Sequence, residues 1–286
     1  MDSARAKLSI EEQSLTGAAG GPVCILLPVL NEVEHVRPLW ARIESAMGRR
    51  SFQICFVDDG SHDGTLEELR ALEQSDPRVH VIVRVKKHRG SQRGGALHAA
   101  MSWGLTSGRF DVFVEMDGDL SHQPEELARG LGLIDSGACD VAIASKYLPE
   151  SRVTNRPAGR LAVSLACNLA VRTLLTLRIT DYSNGFRFYS RRAAEQIAST
   201  HIRYGSPIYL TEVMAIWLAA GLRIQEFPTT YVGRNEGLSK LRKRDLAKAF
   251  VGVFEIAVRY RLGFHPASAA PAMAATTSTR SGAKAL

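Results

Sequence analysis

Short apolar runs rich in β-branched and aromatic residues recur between residues 23 and 147: VCILLPV (23–29), FQICFVDDG (52–60), VHVIVRV (79–85), FDVFVEM (110–116) and DVAIASKY (140–147). Between them lie longer stretches whose apolar residues fall three and four apart: 35–47, TLEELRALEQ (65–74), 94–107 and EELARGLGLI (125–134). The first pattern predicts strands, the second helices with one buried stripe. Strand–helix alternation predicts an α/β protein with a doubly wound, mostly parallel sheet flanked by helices. Ligands of such sheets bind beyond the carboxyl ends of the strands, so the informative residues are expected just after each run.

Those positions are polar. The runs end in Pro28-Val29-Leu30-Asn31-Glu32, Asp58-Asp59-Gly60-Ser61, Asp117-Gly118-Asp119 and Ser145-Lys146-Tyr147. VFVEMDGDLSHQPEELA (112–128) holds Glu115, Asp117 and Asp119 without one Lys or Arg. Carboxylates one residue apart on an extended strand end point the same way and repel unless a proton or cation sits between them. A turn uses the same residues, but a divalent metal is the economical solution, and the carboxylates at 58–59 strengthen it. Oxygen ligands with no His or Cys in ligand spacing suit Mg²⁺ or Mn²⁺. Gly118 leaves room for close approach of a ligand or backbone. Single carboxylates such as Asp59 or Asp63 are more simply read as helix caps.

Charge and composition narrow the partners. The chain has 286 residues and a net charge of +7, which favours phosphorylated small molecules, acidic lipid head groups or nucleic acid without choosing among them. The basic stretches 84–93 and 234–244 lack interleaved aromatics, and nucleic acid would leave the acidic rim without purpose. No GxxxxGK[ST] motif occurs, no GxGxxG follows the first run, and HRGSQRGGALHAA (88–100) reads as a loop entering a helix. Four cysteines without metal or redox spacing read as reduced thiols of a cytosolic protein, and the N-terminus lacks the apolar stretch of an export signal. Residues 1–20 and 266–286 are expected to be disordered, with a folded domain over 21–242. Asn168 and Arg172 interrupt the apolar tract 161–177, which is too short to span a bilayer; 243–265 is amphipathic and reads either as a membrane-surface helix or as a core-facing one.

PVLNE (28–32), VDDGS (57–61), MDGDLSHQPEEL (116–127), DYSNGFRFY (181–189) and GRNEGLSKL (233–241), in this order and spacing, resemble the family 2 glycosyltransferases with a GT-A nucleotide-sugar-binding fold. The resemblance covers about residues 22–242 and is narrowest to the dolichyl- and polyprenyl-phosphate mannose synthase branch. It implies an inverting, metal-dependent transfer of a hexose, mannose from GDP-mannose, to a polyprenyl or dolichyl phosphate. By resemblance Pro28, Val29, Glu32 and Asp58 line the nucleotide pocket, and Asp117 and Asp119 hold the Mg²⁺ or Mn²⁺ that bridges the diphosphate. Ser121 stands where some relatives place a Gln ligand.

An acceptor phosphate needs positive charge. Lys146, Arg160 with Ser164 one helical turn later, and Arg234 with Lys240 are the candidates. An Arg is usual in the family at the place of Lys146, and the exchange keeps the charge but loses bidentate geometry. The resemblance sets Asp181 near the sugar hydroxyls and Glu212 on the acceptor side; because a buried Glu without a partner is costly, Glu212 is expected either to pair with an Arg or to face the site, and Arg187 is a candidate partner for one of the two acids. It also implies peripheral attachment at the cytoplasmic face of a membrane, by surface binding or through a membrane-spanning partner subunit. The competing expectation is a family 2 enzyme with another donor, such as UDP-glucose, or with a hydroxyl acceptor, for which Asp181 would be the general base.

Overall fold

The computed structural model describes residues 20–84, 93–205, 208–233 and 243–261. The first four runs form β1 (Val23–Val29), β2 (Phe52–Asp58), β3 (Val79–Val83) and β4 (Val112–Glu115), separated by α1 (Val33–Met47), α2 (Thr65–Ser75) and α3 (Arg93–Thr106). After α4 (Leu127–Asp135) and β5 (Val141–Ser145) come β6 (Arg152–Thr154), α5 (Ala158–Leu174), β7 (Arg187–Ser190), α6 (Arg191–Ala198), α7 (Tyr209–Ala219), β8 (Ile224–Pro228), β9 (Thr230–Val232) and α8 (Lys243–Arg261). The main sheet has the order β3-β2-β1-β4-β7-β5-β8; β7 runs antiparallel between β4 and β5, while β1 to β4 and β5 with β8 pair in parallel. A second, two-stranded sheet pairs β6 with β9 in parallel.

Alternation along the strands builds two cores. Ile25, Leu27 and Val29 of β1 pack with Val36, Leu39 and Ile43 of α1 and Leu127 and Leu131 of α4 on one face. Cys24 and Leu26 face the other way, toward Leu97 and Met101 of α3 and Trp217 of α7. A strand with both faces covered reads as a continuous apolar run, which is why β1 and β2 carry almost no alternation in polarity. Cys24, Cys55 and Cys139 are buried and Cys167 is exposed, all unbridged. Val253, Ile256 and Ala257 of α8 join the second core, so this helix is docked on the domain, while its Val251, Phe254 and Val258 face outward.

Among the described residues no helix is long and apolar enough to cross a membrane. Arg234 and Lys240, the segments 1–19 and 262–286, and the side chain of Arg160 lie outside what is described.

Candidate functional site

The carboxyl ends of β1, β2 and β4 meet at one rim through backbone geometry that the local residues impose. Asn31 (φ 56) and Leu120 (φ 60) both sit in the left-handed region, one after β1 and the other inside the acidic loop after β4. For a leucine this conformation costs about 1–2 kcal/mol, the kind of strain that accumulates where a loop is shaped for a ligand. Gly118 makes that loop possible: a Cβ there would lie 2.7 Å from Val29 Cγ1, so the loop rests directly on the end of β1.

Glu115 is fully buried at the end of β4 and takes its counter-charge from Arg93, whose Nη2 lies 2.8 Å from Glu115 Oε1; Tyr189 Oη donates to Glu115 Oε2 at 3.3 Å. The same guanidinium pairs with Asp117. The cation missing from the acidic stretch is therefore supplied from the first residue of α3, across the sheet. A buried lone glutamate was the signal for such a partner, because an unpaired charge there is costly. His122 accepts from the Asp117 amide through Nδ1 (3.1 Å), so in the neutral ring Nε2 carries the proton and donates to Asn184 Oδ1 (2.9 Å). Burial and the nearby Arg93 push His122 down to about 3, which keeps it neutral. Asp119 Oδ1 accepts from the Ser121 amide at 3.0 Å.

The donor set fits a hard divalent cation. It offers two carboxylates, and the buried Ser121 Oγ has no hydrogen-bond partner among the described residues. No three His, Cys, Asp or Glu side chains gather there among the described residues, so an ion held here would take further oxygens from water or ligand, as Mg²⁺-type sites do.

One expected ligand, Asp58, is turned inward. Asp58 is fully buried, and its oxygens accept from the Gly60 (3.0 Å) and Ser61 (3.1 Å) amides. It shapes the turn after β2, with Gly60 at φ 87, and its carboxylate does not point outward to a base or ribose. Asp59 pairs with Arg84 at 2.7 Å. Asp63 does serve helix starts, accepting from Thr65 N (3.0 Å) and Val33 N (3.2 Å). Glu32, 7 % exposed, contacts His35 Nδ1 at 2.7 Å. Pro28 and Val29 form the floor under Gly118.

Across β7 lies a second group. Asp181 is fully buried; Oδ1 accepts from Ser183 N (2.8 Å), Ser183 Oγ (2.9 Å) and Asn184 N (3.0 Å), and Oδ2 accepts from Lys146 N (3.0 Å) and lies 3.7 Å from Lys146 Nζ. Oδ1 is filled by three protein donors and Oδ2 takes the Lys146 amide with the ammonium nearby, so Asp181 holds the 181–184 turn against the end of β5. Lys146, its side chain 6 % exposed, also donates to Ser183 Oγ at 3.2 Å; burial lowers its ammonium pKa against the pull of Asp181. Ser164 bonds the Tyr147 hydroxyl at 2.8 Å, which pins α5 to the Lys146 loop.

Glu212 stands apart from this rim. Its oxygens accept from the Arg203 and Tyr204 amides at about 3.0 Å, and it lines a cavity of about 320 Å³ with His201, Ile256 and Arg259 between α6, α7 and α8. Burial raises its pKa. Arg187 pairs with neither Asp181 nor Glu212: fully buried, it donates to the carbonyls of Asn184 (2.9 Å), Leu210 (2.9 Å) and Tyr182 (3.1 Å). A sequence shows no backbone acceptors, so this solution was invisible from the residue types.

A GT-A-type sheet with an acid-x-acid loop at its rim defines a nucleotide-sugar glycosyltransferase. Residues 24–198 match the family model described as glycosyl transferase family 2, and the chain belongs to that family. It is 37 % identical over 241 residues to the polyprenol monophosphomannose synthase of Mycolicibacterium smegmatis, covering 83 % of this chain and 88 % of that protein. It is 36 % identical over 234 residues to the undecaprenyl-phosphate mannosyltransferase of Micrococcus luteus, covering 81 % and 92 %. Among solved structures, glucosyl-3-phosphoglycerate synthase from Mycobacterium tuberculosis, in complex with Mn²⁺, UDP-glucose and phosphoglyceric acid, superposes with a TM-score of 0.62 at 18 % identity over 84 % of this chain and 81 % of that one. At that identity the likeness speaks for the fold.

Proposed function

We propose that the protein transfers mannose from GDP-mannose to a polyprenyl phosphate, with inversion at the sugar's anomeric carbon. The observation that carries this reading is the burial of Asp181 among protein donors. A hydroxyl acceptor needs a base, and the candidate carboxylate, Asp181, is fully buried and already accepts from the Ser183, Asn184 and Lys146 amides. A lipid monophosphate has a second pKa near 6 and is largely a dianion at neutral pH, so it needs none. The two relatives above are both mannose transferases to polyprenyl phosphates, which supports the same choice of acceptor and sugar.

In the reaction an acceptor phosphate oxygen forms the new bond to the anomeric carbon, and the bond from that carbon to the β-phosphate oxygen breaks. Its electron pair leaves with the nucleoside diphosphate, and no proton moves. Asp117 and Asp119, with Ser121 beside them, would hold Mg²⁺ or Mn²⁺, which when bound supplies charge stabilisation for the departing diphosphate. Pro28, Val29 and Glu32 frame the nucleotide side, and the Asp58 turn presents its backbone there. Lys146 supplies fixed positive charge across β7, and Ser164 and Tyr147 hold the start of α5 beside it. Arg160, Arg234 and Lys240 are further candidates for holding phosphate. Glu212 shapes the α7 region.

The protein binds the cytoplasmic face of a membrane through α5 and α8, which pack together and expose Val163, Leu165 and Leu169, and Val251, Phe254 and Val258. The deciding experiment incubates the protein with Mg²⁺ or Mn²⁺, polyprenyl phosphate and radiolabelled GDP-mannose or UDP-glucose. Organic-phase counts from GDP-mannose alone are the expected result; counts only with a hydroxyl acceptor would overturn the reading.

A further inference from the structure

The small β6–β9 sheet brings together residues that sequence reading left apart. Its register pairs Val153 with Tyr231 and Thr154 with Val232, and the Val232 amide donates to Ser121 O at 3.0 Å, which ties β9 to the acidic loop. The Tyr231 ring becomes a shared surface. His122 meets its edge at 5.9 Å between centroids, Lys146 Nζ lies 5.1 Å from its centroid, and Arg156 Cζ lies 5.9 Å from it. Arg156 is half-buried, and no carboxylate pairs with it among the described residues. Two cations lie on one ring, and among the described residues Asp181 is the acid that pairs with either of them, which leaves the seat net positive. Their mutual repulsion is relieved when an anion lies between them.

We propose that Arg156 is a direct ligand of the acceptor's monophosphate, completing with Lys146 a two-cation seat on Tyr231; this rests on the function proposed above. Tyr231 is a contact shared by the acidic loop, through His122, and by the two cations. Arg156 sits two residues before α5, whose outward face carries Val163, Leu165 and Leu169. A phosphate held at Arg156 therefore lays its lipid chain along an apolar helix surface. The seat also addresses the geometry that Lys146 lacks. Arg156 brings a planar fork of donors to a site where the fifth run ends in a point charge.

The test uses the full chain with Arg156→Ala, Arg156→Met and Arg156→Lys, each checked for native circular dichroism. KM is measured separately for GDP-mannose and for citronellyl phosphate, a short polyprenyl phosphate. Calorimetry gives Kd for citronellyl phosphate, inorganic phosphate and the uncharged citronellol. Loss of a charge-assisted contact raises the citronellyl phosphate KM and Kd on the order of ten- to a hundredfold in the Ala and Met variants. The Lys variant loses less, the donor KM stays put, and citronellol binding is unchanged. Weaker binding of inorganic phosphate by the same factor locates the contact on the phosphate itself; an unchanged phosphate affinity places the contact elsewhere and overturns the proposal. A Met variant that behaves as wild type means that Arg156 only packs on Tyr231, and a rise in donor KM alone assigns it to the diphosphate; either sinks the inference. If wild-type protein moves no sugar to polyprenyl phosphate, the parent reading fails, and the calorimetric comparison still decides whether Arg156 binds phosphate.

Discussion

Asp181→Asn separates a framing carboxylate from a catalytic one. The substitution keeps shape but replaces one acceptor oxygen with an NH₂ group. If the remaining oxygen stays on Ser183 and Asn184, the new donor faces the Lys146 amide, now 3.0 Å from Oδ2, and the Lys146 ammonium at 3.7 Å. The change loses one hydrogen bond to a charged acceptor, sets donor against donor, and leaves a buried ammonium without its carboxylate. Breaking a buried pair in this way costs about 3–5 kcal/mol, a figure that already contains the hydrogen bond. For a domain of this size that corresponds to a fall in Tm on the order of 10 °C. Urea titration followed by far-ultraviolet circular dichroism reads the stability, with transfer activity measured on the same preparations well below the transition. A variant within about 1 kcal/mol of wild type that has nonetheless lost all turnover would refute the framing role and return Asp181 to the reacting atoms.

Asp119→Ala removes a rim oxygen and no core volume, so its urea midpoint should stay within about 1 kcal/mol of wild type while transfer disappears; turnover that persists in this variant with EDTA present would exclude the metal role. Arg78 hydrogen-bonds Asp76 (Nη2 to Oδ2, 2.6 Å) and holds its carboxyl below the ordinary value. A depressed carboxylate stabilises above its unfolded pKa of about 3.9 and loses that contribution as pH falls through the lower folded value. Asp76→Asn should therefore cost about 1 kcal/mol or less at pH 7, and thermal melts at decreasing pH should show the gap to wild type closing in the acid range; a constant gap contradicts the linkage. Leu169→Ser with Phe254→Ser should reduce flotation with anionic liposomes, and equal flotation would dismiss the α5–α8 face as the membrane contact.

The strands and helices up to β5 were legible because continuous apolar runs and three-four stripes leave few alternatives. β7 was not: it is four residues long and begins with an arginine whose burial is satisfied by carbonyls up to 23 positions away. β6 and β9, three residues each and partly exposed, carry no periodic signal. The site was legible in location more than in role. Spacing put Asp58, Asp117, Asp119 and Lys146 at strand ends of one rim, and the family resemblance added Asp181. Which oxygens remain free depends on amides that turn inward at Gly60 and Ser183, and residue types do not encode that. Arg93 was read as part of a loop because its partners Glu115 and Asp117 are more than twenty positions distant.

The reversed direction of β7 has a consequence for how such enzymes diversify. Among the described residues, the strands on one side of β7 all come from residues 23–115, and β5 and β8 on its other side come from 141–228, so the backward strand is the seam between two continuous lengths of chain. On the function proposed above, exchanging either length between relatives should alter the donor or the acceptor one at a time, which the same radiolabel assay would read. The condition is that both keep the same glutamate, tyrosine and arginine at the seam, Glu115, Tyr189 and Arg187.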